Sequence, residues 1–340
     1  MQVYYSEAHR RHKPPFEIFD GGLRVPYLEN PERMDRILKA LQKTDWAEIA
    51  EPQDFGLNPI HAVHAEDYIA FLASAWTEWL ASEARDKSTL LPATFALRRH
   101  PQKPTSLLGR AGYYMMDLSA CIVAGTYSAA LASANCALSA AEAVANGERA
   151  AFALCRPPGH HAGKDYAGGY CFINNAAVAA NWLSTQGNVA LLDIDYHCGN
   201  GTQDIFYERA DVLTISIHAD PNFEYPYYAG HANETGTGAG AGFHRNFPLD
   251  KGTDNARYLS ALEEALSLIR EFTPKYLVVS AGMDIYAEDP LGTIKVTTEG
   301  IAEIGKRIAA LELPTAIVME GGYNNAALGR NIVSLAGEFK

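Results

Sequence analysis

From residue 150 onward, five short apolar runs recur, at 150–155, 189–194, 212–217, 276–280 and 315–319, each bounded by Gly, Pro or acidic residues. Runs of that length without polar alternation are what fully buried strands of a parallel sheet look like in sequence. Between and around them lie stretches of helical pattern, among them 128–145, 174–183, 255–270 and 298–310, each long enough to cross back over a sheet. The alternation predicts a parallel sheet covered on both faces. Pro31 after Asn30, and Thr298 followed by Glu299, mark helix starts, while Gly147 and Gly187 mark stops. Residues 82–107 break the rhythm with Pro92, Pro101 and Pro104 and a basic patch at Arg98, Arg99 and Lys103. This is a long excursion from the core, and loops of that length are usually functional, interfacial or disordered. The glycine-rich stretch 236–242 neither follows a buried strand nor opens a helix, as a dinucleotide-binding turn requires, so it is expected to be a turn-rich active-site loop.

Composition narrows the class without naming it. The 340 residues, 48% hydrophobic and 20% charged, with no internal repeat, suit a folded enzyme-sized chain of one large α/β domain or two smaller ones. A net charge of −12 opposes a nucleic-acid footprint and is compatible with a cationic substrate, although ordinary cytosolic acidity is the simpler account of it. The five cysteines are scattered and lack CxxC spacing, which points to free thiols in a reducing compartment. No apolar run approaches 18 residues and the N-terminus carries no leader pattern, so a cytoplasmic protein without a membrane partner is expected.

The densest chemistry lies at 189–201, where an apolar strand ends on Asp193, Asp195 and His197, which strand alternation would point the same way. In open α/β sheets ligands bind beyond the carboxyl ends of strands, so either a metal or a buried network of ion pairs must satisfy the three. A second buried run delivers Asp284 just beyond its end. One imidazole and two carboxylates, Asp195, His197 and Asp284, make a plausible open zinc site. Cys198 is a conceivable fourth ligand, but as the neighbour of His197 it should face away. The strand at 150–155 leads into Arg156-Pro-Pro-Gly-His160-His161, either two capping histidines or a general acid and base. The run at 315–319 leads into Glu320-Gly-Gly-Tyr323, whose phenol is either an ordinary rim tyrosine or a donor to a developing oxyanion.

Taken together, RPPGHH at 156–161, GGYCFINNAA at 168–177, LDIDYHCGNGTQDIFY at 192–207 and EGGY at 320–323 closely resemble the arginase and histone deacetylase superfamily. Within it the chain is most similar to the bacterial acetylpolyamine amidohydrolases, over essentially its whole length. The resemblance implies a single domain, 1–340, with a three-layer arginase/deacetylase-like fold and a central, mostly parallel eight-stranded sheet. It implies one catalytic Zn2+, with Fe2+ or Co2+ as substitutes, on Asp195, His197 and Asp284. His161 would be general base and acid, with His160 as its electrostatic partner, Asp193 behind His160 and Asn200 behind His161. Tyr323 would stabilise the oxyanion, the carbonyl of Gly169 would accept the scissile amide N–H, and Tyr170 and Tyr225 would enclose the substrate's methylene chain. Carboxylates such as Glu17, Asp20 or Asp117 would attract a distal ammonium. Structural K+ or Na+ is implied at Asp193, Asp195, His197 and Ser216, and at a second site near Phe206, Arg209 and Val212.

The implied reaction is hydrolysis of acetylated polyamines or related primary amines, with the excursion at about 82–107 narrowing the tunnel entrance of a homodimer. The readings set against it are a protein or peptide acetyllysine deacetylase and a non-catalytic metalloprotein that binds acetylated ligands. A dimanganese hydrolase would need further carboxylates near Asp193 and Asp284 that are not identifiable. The sequence departs from the family at Cys198, where a second histidine is usual, at Tyr170 and Tyr225, where phenylalanine is common, and at Asn200, where many histone deacetylases carry Asp.

Overall fold

The computed structural model describes residues 1–84, 86–96 and 102–340; Arg98, Arg99 and Pro101 of the excursion, and the side chain of Asp20, lie outside the described residues. Ten strands are formed among them: β1 Gln2–Tyr4, β2 Glu17–Phe19, β3 Leu23–Val25, β4 Glu48–Ala50, β5 Ala150–Ala153, β6 Val189–Asp193, β7 Val212–Ala219, β8 His244–Leu249, β9 Tyr276–Ala281 and β10 Thr315–Met319. Eight of them make one sheet in the order β4-β1-β5-β10-β9-β6-β7-β8, and β2 and β3 form a separate antiparallel hairpin. Every neighbouring pair in the large sheet is parallel.

The five runs read as buried strands are β5, β6, β7, β9 and β10, and every residue in them is buried. The strands without such a signal are β1, β4 and β8. Two are three residues long, and β8, His-Arg-Asn-Phe-Pro-Leu, carries a proline that only an edge strand tolerates. Strand and helix termini otherwise fall within two residues of the expected ones. Asn174 caps the helix Asn175–Ser184 by accepting from Ala177 N, and Thr297 caps Thr298–Ala309 by accepting from Gly300 N.

The order of connections distributes the helices. From β5 to β6, β7 and β8 the chain steps toward one edge, then β9 and β10 step back into the gap left between β6 and β5. Right-handed crossovers put helices from opposite steps on opposite faces. One layer is Thr126–Ala145 with Asn175–Ser184, which pack on each other and on β5, β10, β6 and β9. Glu32–Leu41, Asn255–Phe272, Thr298–Ala309 and Leu328–Ala336 pack in series to form the other. The gap filled late is a topological switch point, the place where such sheets bind ligands.

The described residues of the excursion fold back on the chain. Leu90 bridges to Ile122, Ala96 N donates to Gly112 O at 2.8 Å, and Leu91 packs on the cluster of Tyr27, Cys121 and Tyr170. The glycine-rich stretch is a correction: Gly238–Gly240 is a 3-10 turn pressed on residues 207–209, with Thr237 N donating to Tyr207 O at 2.9 Å, and it leads into β8 rather than toward the switch point. Gly236 and Gly240 serve that close packing. A side chain on Gly240 would stand 2.5 Å from Tyr207 O.

Candidate active site and metal centre

Four adjacent strands, β5, β10, β9 and β6, deliver the loops that matter, each at its carboxyl end. They bring His160 and His161, Glu320 to Tyr323, Asp284, and Asp193 to His197 to one place, although these residues are up to 163 positions apart in the chain.

Asp195, His197 and Asp284 each offer one ligand atom, all within 4.8 Å of one another. His197 Nδ1 lies 3.3 Å from Asp195 Oδ1 and 3.2 Å from Asp284 Oδ2. Strand alternation is not what aligns them. β6 ends at Asp193, and beyond it Asp193 Oδ1 accepts from Asp195 N at 3.0 Å and Asp195 Oδ1 from His197 N at 2.9 Å. These side-chain-to-backbone turns aim Asp193 at His160 while Asp195 and His197 meet Asp284. Tyr196 N donates to Asp284 Oδ1 and Gly321 N to Asp195 Oδ2, both at 2.9 Å, which orients both carboxylates.

The electrostatics call for a cation between these carboxylates. Burial opposes protonation of His197, yet Asp195 and Asp284 outweigh it and raise its pKa to about 10. Burial, reinforced by Asp195, pushes Asp284 up to about 7. A divalent ion would satisfy the same two carboxylates that otherwise hold a proton on His197, and three protein ligands leave open positions for water and substrate. The residues therefore fit a metal ion. Gly321 is required beside them, since a Cβ there would stand 2.4 Å from Asp284 Oδ2 and 2.7 Å from Asp195 Oδ2.

The tandem histidines are both buried, with ring centroids 4.0 Å apart and different partners. His160 Nδ1 lies 3.0 Å from Asp193 Oδ2, and His161 Nδ1 lies 2.7 Å from Asn200 Oδ1. Asn200 Nδ2 donates to Tyr166 at 3.2 Å, so its Oδ1 is left as acceptor, His161 carries its proton on Nδ1, and Nε2 keeps a lone pair. Burial works against charge on both rings. At His160 the Asp195 and Asp193 carboxylates overcome it and hold the pKa well above the ordinary imidazole value; at His161 burial and the charges on His160 and His197 hold it well below. The two environments thus differ in sign: the carboxylates favour charge on His160, while burial favours the neutral ring of His161.

A cavity of about 450 Å³ opens over these groups, lined by His161, His197, Gly169, Tyr170, Tyr225, Tyr323, Glu17 and Asp117. Gly169, at φ +51°, lies so close to His161 that a Cβ would come within 2.1 Å of the ring. Tyr170 donates to Glu17 Oε2 at 2.6 Å, and Tyr225 stands edge-on to His161 at 4.9 Å while donating to Asp117 Oδ2 at 2.8 Å. The same Asp117 oxygen accepts from Gly169 N at 2.7 Å, so this carboxylate ties the two aromatic walls together. Glu17 is buried, accepts from Leu28 N at 2.8 Å, and is pushed up to about 7 by burial. Phe95 from the excursion also lines the cavity.

Ser216 pairs in register with Asp193, and its hydroxyl meets His218 Nδ1 at 2.7 Å. Phe206, Arg209 and Val212 meet elsewhere, at the start of β7, where Arg209 N donates to Phe206 O at 3.0 Å and its guanidinium lies over the Phe206 ring. Cys198 faces away from the metal-ligand group. Its buried thiol, pushed up by burial, lies beside Gly230 and His218.

Several supporting residues carry no legible signal in the sequence. Arg33 donates to Gly322 O and Glu320 O, both at 2.7 Å, and shares the buried Glu29 with Arg156. Glu320 Oε2 accepts from Gly159 N at 2.7 Å and His160 N at 3.2 Å, which pins the histidine loop. Asp289 accepts from Tyr323 N at 2.6 Å. Arg33 and its loop carbonyls are nearly 290 residues apart, a separation at which no local pattern operates; only Arg156 in RPPGHH and Glu320 in EGGY sit inside recognisable motifs.

The Histone deacetylase domain family matches residues 27–338. The chain is 46% identical over 343 aligned residues to acetylpolyamine amidohydrolase 2 of Pseudomonas aeruginosa, covering 100% of this chain and 99% of the relative. It is 43% identical to the acetylpolyamine amidohydrolase of Mycoplana ramosa, covering 98% of each. Its fold superposes on the crystal structure of acetylpolyamine aminohydrolase from Burkholderia pseudomallei with a TM-score of 0.96 at 41% identity, covering 100% of this chain and 98% of that one.

Proposed function

Because the chain belongs to the histone deacetylase domain family, we propose that it hydrolyses the acetyl amide of acetylated polyamines or related primary amines, releasing acetate and the free amine. The observation that carries this reading is the meeting, at one cavity, of three residues able to ligate a metal ion, the His161 ring with Nδ1 held by Asn200, and a Tyr323 hydroxyl with no hydrogen-bond partner among the described residues. Asp195, His197 and Asp284 would hold the metal ion that the family implies, taken here as zinc with Fe2+ or Co2+ as substitutes; when bound it polarises the acetyl carbonyl and acidifies water.

The chain's own residues supply the rest. His161 Nε2, with its lone pair toward the cavity, takes a proton from the attacking water while Asn200 holds the tautomer. The Tyr323 hydroxyl donates to the oxyanion that develops on the carbonyl. As the C–N bond breaks, His161 returns its proton to the leaving nitrogen, and the charge on His160, held by Asp193, keeps His161 a weak enough base to release it. Gly169 O accepts the scissile amide N–H. Tyr170 and Tyr225 enclose the methylene chain, with Glu17 facing a distal ammonium, while Asp117, spent on Gly169 N and the Tyr225 hydroxyl, holds the aromatic walls in place.

The same reading places Phe95 and the rest of the 82–107 excursion at the tunnel entrance and at a homodimer interface, and K+ or Na+ at the two groups containing Ser216 and Val212. It also places the enzyme in the cytoplasm, where its five free cysteines, all buried, would stay reduced. No helix among the described residues is long and apolar enough to cross a membrane.

Steady-state rates on acetylputrescine and acetylcadaverine against acetyllysine peptides, with metal content measured on the same sample, test the reading. The expected result is higher kcat/KM on the acetylated diamines. Turnover of the peptides with none of the diamines would replace it by a protein deacetylase, and metal-loaded protein inert on both would leave a binding protein.

A further inference from the structure

Tyr323 follows a glycine that alone could not hold it. Gly322 adopts φ +114°, a conformation that L side chains rarely adopt, and with no Cβ it leaves the following peptide free to rotate. That peptide unit, Gly322 C=O with Tyr323 N–H, is gripped from both ends. Its carbonyl accepts from Arg33 Nε at 2.7 Å and its N–H donates to Asp289 Oδ2 at 2.6 Å. The same Asp289 oxygen takes the next N–H, of Asn324, at 3.0 Å, and Oδ1 takes Leu291 N at 3.0 Å. Two consecutive backbone N–H groups turned onto one buried carboxylate make an anion-binding nest in which the anion is built in.

The ring beyond this peptide has no comparable anchor among the described residues. It lies 4.9 Å from the Arg33 guanidinium and 5.7 Å from the Tyr170 ring, contacts that restrict its plane but do not fix its depth in the cavity. The depth of the hydroxyl is set by the Tyr323 backbone, and Asp289 is the side chain that holds the N–H side of that backbone. Asp289 does not line the cavity, and its carboxylate already accepts three backbone N–H groups, so it neither meets substrate nor completes the metal centre.

We propose that Asp289 is a positioning residue for the reaction: by locking the Gly322–Tyr323 peptide against rotation it places the Tyr323 hydroxyl at the developing oxyanion. The inference rests on the deacetylase reading above. A phenol displaced by about 1 Å costs on the order of a hundredfold in rate, since donation to an oxyanion is worth most when no reorganisation is needed.

The test is a double-mutant cycle on the metal-loaded enzyme with acetylputrescine, using Asp289→Ala, Tyr323→Phe and the pair. Asp289→Ala should lower kcat by roughly tenfold to a hundredfold with KM within about twofold, because the groups that bind the ground state are untouched. The pair should then be no slower than Tyr323→Phe alone, within about twofold, because without the hydroxyl there is nothing left to position. Asp289→Asn, which keeps one oxygen for the Tyr323 and Asn324 N–H groups, should recover most of kcat and serves alone if the alanine variant does not fold. Losses that multiply in the pair, a raised KM at unchanged kcat, or an asparagine variant as slow as Tyr323→Phe would each overturn the proposal. An inactive wild-type enzyme would instead sink the deacetylase reading, so the two failures are told apart by the parent.

Discussion

Glu17 shows how one buried residue makes specificity depend on pH. Burial raises its pKa from 4.5 to about 7, so at pH 6 it is mostly neutral and at pH 8 mostly a carboxylate. A charge-assisted hydrogen bond to an ammonium is worth about 1.5–3 kcal/mol, or roughly tenfold or more in affinity. KM for acetylputrescine, whose amine stays cationic over this range, should therefore fall roughly tenfold from pH 6 to 8. Glu17→Gln should flatten that profile, and a neutral N-alkylacetamide should show no such fall. The same profile in the glutamine variant would assign the effect to another group. The sign for folding is opposite: between 4.5 and about 7 the folded chain keeps a proton that the unfolded chain gives up, so this group's contribution to stability declines as pH rises through that window. Glu17 could be nominated from the sequence only by resemblance, because its burial depends on Tyr170, 153 residues away.

At the scale of elements, the site is built from strand ends. A strand that stops abruptly leaves its last side chains and the next backbone N–H groups to be satisfied by each other, as at Asp193, Asp195 and His197. The loop after β10 is one of the tight joints, where Gly321 lies against two ligand carboxylates at once. Gly321→Ala would drive a Cβ to 2.4 Å from Asp284 Oδ2, and both carboxylates there are already tied to backbone N–H groups, so neither can step aside cheaply. Metal affinity should fall by about tenfold to a hundredfold, as when partners that orient ligands are lost, while far-UV circular dichroism stays unchanged. Metal content after dialysis against zinc buffers reads this directly; an alanine variant that keeps full metal would mean the loop yields more easily than its hydrogen bonds imply. Legibility at this scale follows burial. β5, β6, β7, β9 and β10 are buried on both faces and read as apolar runs, whereas β1, β4 and β8 lie toward the sheet edges, are short or polar, and read as nothing.

For the molecule as a whole, metal and fold are linked. An ion that binds only the native site stabilises it by about 2.7 kcal/mol at a hundredfold excess over Kd. At about 2.1 cal/mol/K of unfolding entropy per residue, the 340 residues convert this into a Tm about 4 °C higher, which a chelator should remove and added zinc restore. A Tm indifferent to both would argue against a metal on Asp195, His197 and Asp284. The sequence by itself determined the layered parallel sheet, the loops that carry chemistry and the chemical type of each group at their ends, because these depend on local periodicity and on polar residues stranded at the ends of buried runs. Tertiary structure alone decided that β9 and β10 return into the gap between β6 and β5, that Asp117 is spent on Gly169 and Tyr225, that Cys198 turns toward Gly230, and that Arg33 and Asp289 grip one peptide before Tyr323. Those are contacts between residues tens to hundreds of positions apart, and a contact at that range is chosen by which surfaces the packed sheet brings together, a choice that no local pattern records.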